Sequence, residues 1–269
     1  MNTPLKRTIP KQQFLFIPFI MAGFPDEEIT IELALSLQEL GASAIELGVP
    51  YSDPLADGPV IQQAASKSLK SGMTIQRAME LVGKMRKKGV EIPVILFTYY
   101  NPVLQLEEKS FFALMHQNDI DGLLIPDLPH EESQHMRKRC KQEKIMYISL
   151  VAPTSDTRIE QIATGAEGFL YCVSSLGVTG VRNELHKDII SFLATVKRHS
   201  PIPIAVGFGI SSDTQVKELM PLCDGVIVGS ALLKKIGELE DLLLNPKTKD
   251  QAVYEFKQFV LSIVTPISS

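Results

Sequence analysis

The sequence predicts an α/β protein, a single (β/α)8 TIM barrel, on three observations. Eight apolar runs of strand length recur along the 269 residues. Segments with helical spacing of apolar residues lie between them. No Pro/Ser-rich linker or shift of composition divides the chain, so one domain is expected over 1–269, with an irregular segment at 1–13. Strand and helix alternating over about 250 residues is the pattern of such a barrel. A doubly wound open sheet is the competing arrangement. It fits less well, because the first strand-to-helix turn, AGFPDEE, lacks the G-x-G-x-x-G nucleotide signature.

The first strand is FLFIPFIMAG (14–23). Basic residues precede it, as in a secretory leader, but Pro18 cuts the apolar run and no small-x-small cleavage site follows. The helix DEEITIELALSLQELG has acids in its first turn and stops at Gly41. The second strand is SAIELGV (43–49), and the helix TIQRAMELVGKMRKKG ends in basic residues and Gly89. Strands PVILFTYY (93–100) and GLLIPDL (122–128) follow, then the helix EESQHMRKRCKQEK. Strands MYISLVAP (146–153) and GFLYCVSS (168–175) precede the helix NELHKDIISFLATVKRH. PIAVGFGI (203–210) and GVIVGSALL (225–233) are the last strands, and DQAVYEFKQFVLSIV is the closing helix. Apolar runs without strict alternation suit parallel strands buried on both faces.

Composition narrows the function. Hydrophobic residues are 45% and charged residues 22%, as in an ordinary soluble globular protein. A net charge of -4 argues against a nucleic-acid partner. No apolar run reaches the roughly 18 residues of a membrane span. Three scattered cysteines, Cys140, Cys172 and Cys223, read as free thiols in a reducing cytoplasm.

In a barrel of this kind the chemistry sits at the C-terminal ends of the strands. Three glycine-containing turns stand there: GVTG (177–180), GFG (207–209) and GS (229–230). Glycine lets backbone N–H groups approach a ligand, and a helix N-terminus adds positive potential, so a phosphate site is expected. Glu46 lies between Ile45 and Leu47 near the end of strand two. Loss of solvation should raise its pKa and suit it to moving a proton near neutral pH. The loop GVPYSDPLADGPVIQ follows, stiffened by Pro50, Pro54 and Pro59. It holds two acids, Asp53 and Asp57, and spacing does not choose between them. No lysine lies in the C-terminal part of any strand, which argues against a Schiff-base aldolase. Of the five histidines only His130 is near a strand end, so no metal site is expected.

The segments FIPFIMAGFPD, IELGVPYSDPLADGP, LFTYYNP, LLIPDLPHEE, GVTG, VGFGIS and GVIVGSALLK resemble, in order, the motifs of the tryptophan synthase alpha subunit family. The resemblance runs from residue 14 nearly to the end. It implies a barrel that cleaves indole-3-glycerol phosphate to indole and glyceraldehyde 3-phosphate. It also implies a beta-subunit partner in an α2β2 heterotetramer, with pyridoxal phosphate in that partner and no cofactor in this chain. The resemblance makes Glu46 the acid/base, Asp57 the second catalytic acid and Tyr171 the active-site tyrosine. Thr179 becomes the loop-closure contact to Asp57. Gly180, Phe208, Gly209, Gly229 and Ser230 match the phosphate cradle. Phe19, Ile61, Phe97, Tyr99 and Leu124 match the indole pocket. Asp53 and Pro54 match a partner contact.

Two stretches depart from the family pattern. The first thirteen residues, with Pro4 and Pro10, poorly match the usual N-terminal helix, and Ser175 stands where many members carry a basic residue. The rival readings are another phosphate-binding barrel of the same pathway, a stand-alone lyase releasing free indole, and a weakly catalytic barrel that activates the beta subunit. A cytoplasmic location is expected.

Overall fold

The computed structural model describes residues 7–173, 187–207 and 209–267. Its strands are β1 (Leu15–Met21), β2 (Ile45–Gly48), β3 (Val94–Phe97), β4 (Gly122–Leu124), β5 (Met146–Tyr147), β6 (Ser149–Val151), β7 (Leu170–Val173), β8 (Ile204–Gly207) and β9 (Gly225–Val228). All pairings are parallel, in the order β5-β4-β3-β2-β1-β9-β8-β7-β6. The two ends of that order, β5 and β6, are halves of one expected strand, interrupted only at Ile148. The Ile148 amide donates to the Leu123 carbonyl at 2.9 Å. The sheet therefore closes on itself through residue 148, and the eight expected strands form a TIM barrel.

Side chains alternate across the barrel wall, as the two-residue period of a strand requires. Leu15, Ile17, Ala44, Ile95, Leu124, Met146, Ile148, Phe169, Ala205 and Ile227 form the inner cluster. Residues of the opposite phase, such as Phe16, Ile45, Leu96, Leu123, Cys172 and Val206, pack outward with the helices in a larger cluster. Burial on both faces is why the strand sequences read as continuous apolar runs.

Local signals placed the longest helices. Asp26 caps the helix Glu27–Glu39 by accepting from the Ile29 amide at 2.7 Å. Thr74 caps Ile75–Lys88, and Gly89 ends it at φ 106°, a conformation that suits glycine. The helices Gln134–Glu143, Lys187–His199 and Lys249–Val264 fall within or beside the expected segments. The strand expected over 225–233 is shorter: β9 ends at Val228, and Ser230–Glu238 is a helix. Leu232 and Leu233 were apolar because they form that helix's buried face, not because they continue the strand.

Residues 7–14 contain neither helix nor strand. Ile9 nevertheless joins the inner cluster, at 5% exposure, and closes the bottom of the barrel. Arg7 tethers the segment through Asp119 at 2.7 Å and Asp121 at 3.1 Å. Among the described residues no helix is long and apolar enough to cross a membrane, and no group of His, Cys, Asp and Glu could hold a metal ion.

Candidate active site

The barrel mouth is built from strand ends in register. Phe19 of β1 lies beside Glu46 of β2, which lies beside Ile95 of β3. Ile95 belongs to the inner cluster, so Glu46 shares its inward phase. The carboxyl is fully buried, and neither oxygen has a hydrogen-bond partner. An isolated buried carboxylate is costly, so the group holds its proton: burial pushes its pKa up from 4.5 to about 8.

Asp57 is the second acid of the mouth. It is half-buried, and loss of solvation raises its pKa from 3.8 to about 6, against a lowering by the Tyr99 hydroxyl. Asp53, in the same loop, is exposed and accepts a hydrogen bond from the Ser52 hydroxyl at 2.7 Å. The loop thus turns one acid inward and one outward. Tyr171, partly buried in β7, is held well above its ordinary pKa, first by burial and then by the Glu46 and Asp57 charges. Tyr171 therefore sits within electrostatic reach of both carboxyls, brought from residues 46 and 57.

An apolar wall faces them. The Phe19 and Phe97 rings meet edge to face, 5.3 Å between centroids at 83°. Phe97 is in register with Leu124, which is fully buried. Tyr99 is 2% exposed, and Ile61 packs partly buried from the helix Pro59–Lys70. On the neighbouring strand, beside Phe19, Gly229 precedes the helix Ser230–Glu238, with Ser230 in its first turn. Gly209 is exposed at φ +66°, with open space where a Cβ would stand. Pro54, beside Asp53, is partly buried, and its carbonyl accepts from the Asp57 amide at 3.3 Å.

The arrangement sets a buried, protonated acid, a half-buried acid of lower pKa and an aromatic pair at the barrel mouth, bordered by a helix N-terminus. Comparison with known proteins places it. A family model described as tryptophan synthase alpha chain matches residues 5–262. The chain belongs to the tryptophan synthase alpha chain family. A tryptophan synthase alpha chain of Geobacillus sp. (strain WCH70) is 60% identical over 253 residues, 94% of this chain and 96% of the relative. That of Bacillus subtilis (strain 168) is 57% identical over 257 residues, 96% of each. A chain solved in work on mutual activation of the tryptophan synthase α2β2 complex of the hyperthermophile Pyrococcus furiosus superposes with a TM-score of 0.85. It is 35% identical and covers 95% of this chain and 100% of its own.

Within this alpha-chain site, Thr179, Gly180 and Phe208 lie outside the described residues, as does Ser175. Two further glycines shape the pocket and went unrecognised as spacers. A Cβ on Gly48 would stand 2.4 Å from Phe19 Cζ, and one on Gly207 would stand 2.6 Å from the Tyr171 hydroxyl. Each is absent-side-chain space that an aromatic of the site occupies. Gly207 was visible in GFG but reads there as part of the phosphate turn. Its inward phase and its neighbour two strand positions away appear only on closure of the sheet.

Proposed function

We propose that the chain cleaves indole-3-glycerol phosphate to indole and glyceraldehyde 3-phosphate, as the alpha subunit of a tryptophan synthase, and passes the indole to a beta subunit in an α2β2 complex. The observation that carries the reading is Glu46, a buried acid without partners, protonated at neutral pH, in the mouth of a barrel of this family.

The retro-aldol step balances around that group. The bond between indole C3 and the hydroxyl-bearing carbon must break, and its electron pair needs an acceptor. Protonation of C3 makes the ring an indolenine, whose positive nitrogen is that acceptor. The hydroxyl then loses its proton as its carbon becomes the aldehyde. One proton enters at C3 and one leaves the hydroxyl, so a single group can give the first and take the second. Glu46 has the protonation state for this cycle. Asp57, ionised above about pH 6, accepts from the ring N–H and stabilises the charge that develops there. Two carboxyls with pKa values pushed apart by their surroundings divide the acid and anion roles. Tyr171 bounds the reacting carbon. The apolar wall of Phe19, Phe97, Tyr99, Leu124 and Ile61 holds the indole. Gly180, Phe208, Gly209, Gly229 and Ser230 supply the phosphate cradle, which contributes binding energy remote from the reacting bond. Asp53 and Pro54 face the beta subunit in this reading, and Thr179 closes on Asp57. The chemistry uses no cofactor in this chain; pyridoxal phosphate belongs to the beta subunit. A cytoplasmic location is part of the same reading.

The test is an indole-release assay on indole-3-glycerol phosphate, run with and without a beta subunit. Slow release alone and fast release in the complex is the expected result. Fast release alone would make the chain a stand-alone lyase. No release in either state would remove the proposed activity.

A further inference from the structure

The loop that carries Asp57 is short of internal bonds, yet its acid is held inward. Two side chains bond it from outside: Gln62 Nε2, in the helix Pro59–Lys70, donates to the Asp57 carbonyl at 2.8 Å, and Tyr99 reaches the residue before it. The Ala56 amide donates to the Tyr99 hydroxyl at 3.0 Å, and the same hydroxyl lies close enough to the Asp57 carboxyl to favour its ionised form. A phenol offers one donor and an acceptor, so Tyr99 can satisfy both groups at once. Tyr99 is itself fixed from two sides. The Tyr51 ring stacks on it, 5.0 Å between centroids at 27°, and the Tyr51 hydroxyl accepts from Asn101 Nδ2 at 3.2 Å. The turn at Tyr99 begins the helix Tyr100–Gln105, and the Tyr100 amide donates to the Asp127 carboxylate at 2.9 Å.

We propose that Tyr99, beyond lining the pocket, is the positioning residue for Asp57: its hydroxyl clamps the Ala56–Asp57 turn against the barrel mouth, and the Tyr51 ring holds the clamp in place. The inference rests on the reading of Asp57 as the ionised partner of the indole N–H. A hydrogen bond from the residue 56 amide and a polar interaction with the adjacent carboxyl, both on one oxygen, hold the turn toward the mouth and favour the ionised acid. Packing by an apolar ring would do neither. The titratable groups around Asp57 are Tyr99 after β3 and Tyr171 of β7, with Tyr51 and the outward Asp53 in its own loop, Asp127 beyond Tyr99 and Glu46 beyond Tyr171. Of these, Tyr99 lowers the Asp57 pKa against the rise from burial.

The experiment compares wild type, Tyr99→Phe and Tyr51→Leu by indole release across pH 5 to 9, with thermal unfolding as a control. Phenylalanine keeps the ring that lines the pocket, so KM should change little. Loss of the hydroxyl that bonds the Ala56 amide and favours the Asp57 charge should lower kcat about tenfold. The acid limb of the profile should move to higher pH, because the carboxyl loses the donor that favours its ionised form. Tyr51→Leu leaves the Tyr99 hydroxyl in place but removes the stack, and should give a smaller loss with the limb moved in the same direction. A Tyr99→Phe enzyme that matches wild type overturns the proposal, as does a loss of kcat with the acid limb unmoved. Absence of indole release from wild type would instead remove the functional reading beneath it.

Discussion

Replacing Glu46 by glutamine should end cleavage and at the same time make the fold more resistant to alkali. In the folded chain the Glu46 pKa stands at about 8, against 4.5 for the ordinary carboxyl. Below pH 4.5 both folded and unfolded chains hold the proton, so the group has no effect on the pH dependence. Between pH 4.5 and about 8 the unfolded chain releases it while the folded chain keeps it. Stability therefore falls as pH rises through this window, by up to about 1.4 kcal/mol per pH unit. Above about pH 8 both states are ionised and the loss is complete. The upper limit of the loss is about 5 kcal/mol, a large share of the roughly 5–15 kcal/mol that holds a typical domain together. Glutamine does not titrate. Its amide brings a constant desolvation cost, so the pH dependence is diagnostic and the absolute stability is not. Asp57, raised from 3.8 to about 6, works in the same direction but is common to both proteins and cancels in their difference. Urea unfolding of wild type and Glu46→Gln at pH 5, 6, 7 and 8 reads the effect as a shift in midpoint at constant m. The stability of the variant relative to wild type should grow by a few kcal/mol from pH 5 to 8. A difference that stays level, or shrinks, would refute the picture of Glu46 as a buried and unpartnered acid.

The pH profile of kcat/KM should be a bell: activity rises above about pH 6, where Asp57 ionises, and falls above about pH 8, where Glu46 loses its proton. Glu46→Gln and Asp57→Asn should each lower turnover by a factor of about 10² or more, measured as indole release. Asp53→Asn, at an exposed carboxyl, should leave the chemistry of the isolated chain in place and weaken its response to the beta subunit. Gly209→Asp should fold, since nothing occupies the space of its Cβ, at a strain cost of about 1 kcal/mol for the positive φ. It should raise the KM for indole-3-glycerol phosphate strongly by facing a negative group toward the phosphate. Gly207→Ala should lower kcat by displacing the Tyr171 hydroxyl, and an unchanged kcat would show that the tyrosine has room to move.

Much of the architecture is local and was legible in the chain. Parallel strands buried on both faces leave continuous apolar runs, and helix ends leave side-chain caps such as Asp26 and Thr74 or a left-handed glycine such as Gly89. Glu46 announced itself as a lone charge inside such a run. The register of β2 then turned its side chain inward with the Ile95 neighbour. Other features depended on contacts that no local pattern encodes. Whether SALL continued β9 or opened a helix was decided by which surface buried Leu232 and Leu233. Ile9 closes the barrel from a segment with no regular structure, because the inner cluster left a space at its lower end. Asp53 and Asp57 stand four residues apart in one proline-rich loop, and only the inward turn of one of them separates the pair. That turn is held by an amide at residue 56 and a hydroxyl at residue 99, 43 positions apart. Gly48 and Gly207 are small because Phe19 and Tyr171, from neighbouring strands, fill the space beside them. Sequence specified the elements because helix and strand patterns arise within a few residues. Closure of the sheet chose the site, because its carboxyls, rings and spacers meet only when distant strands stand side by side.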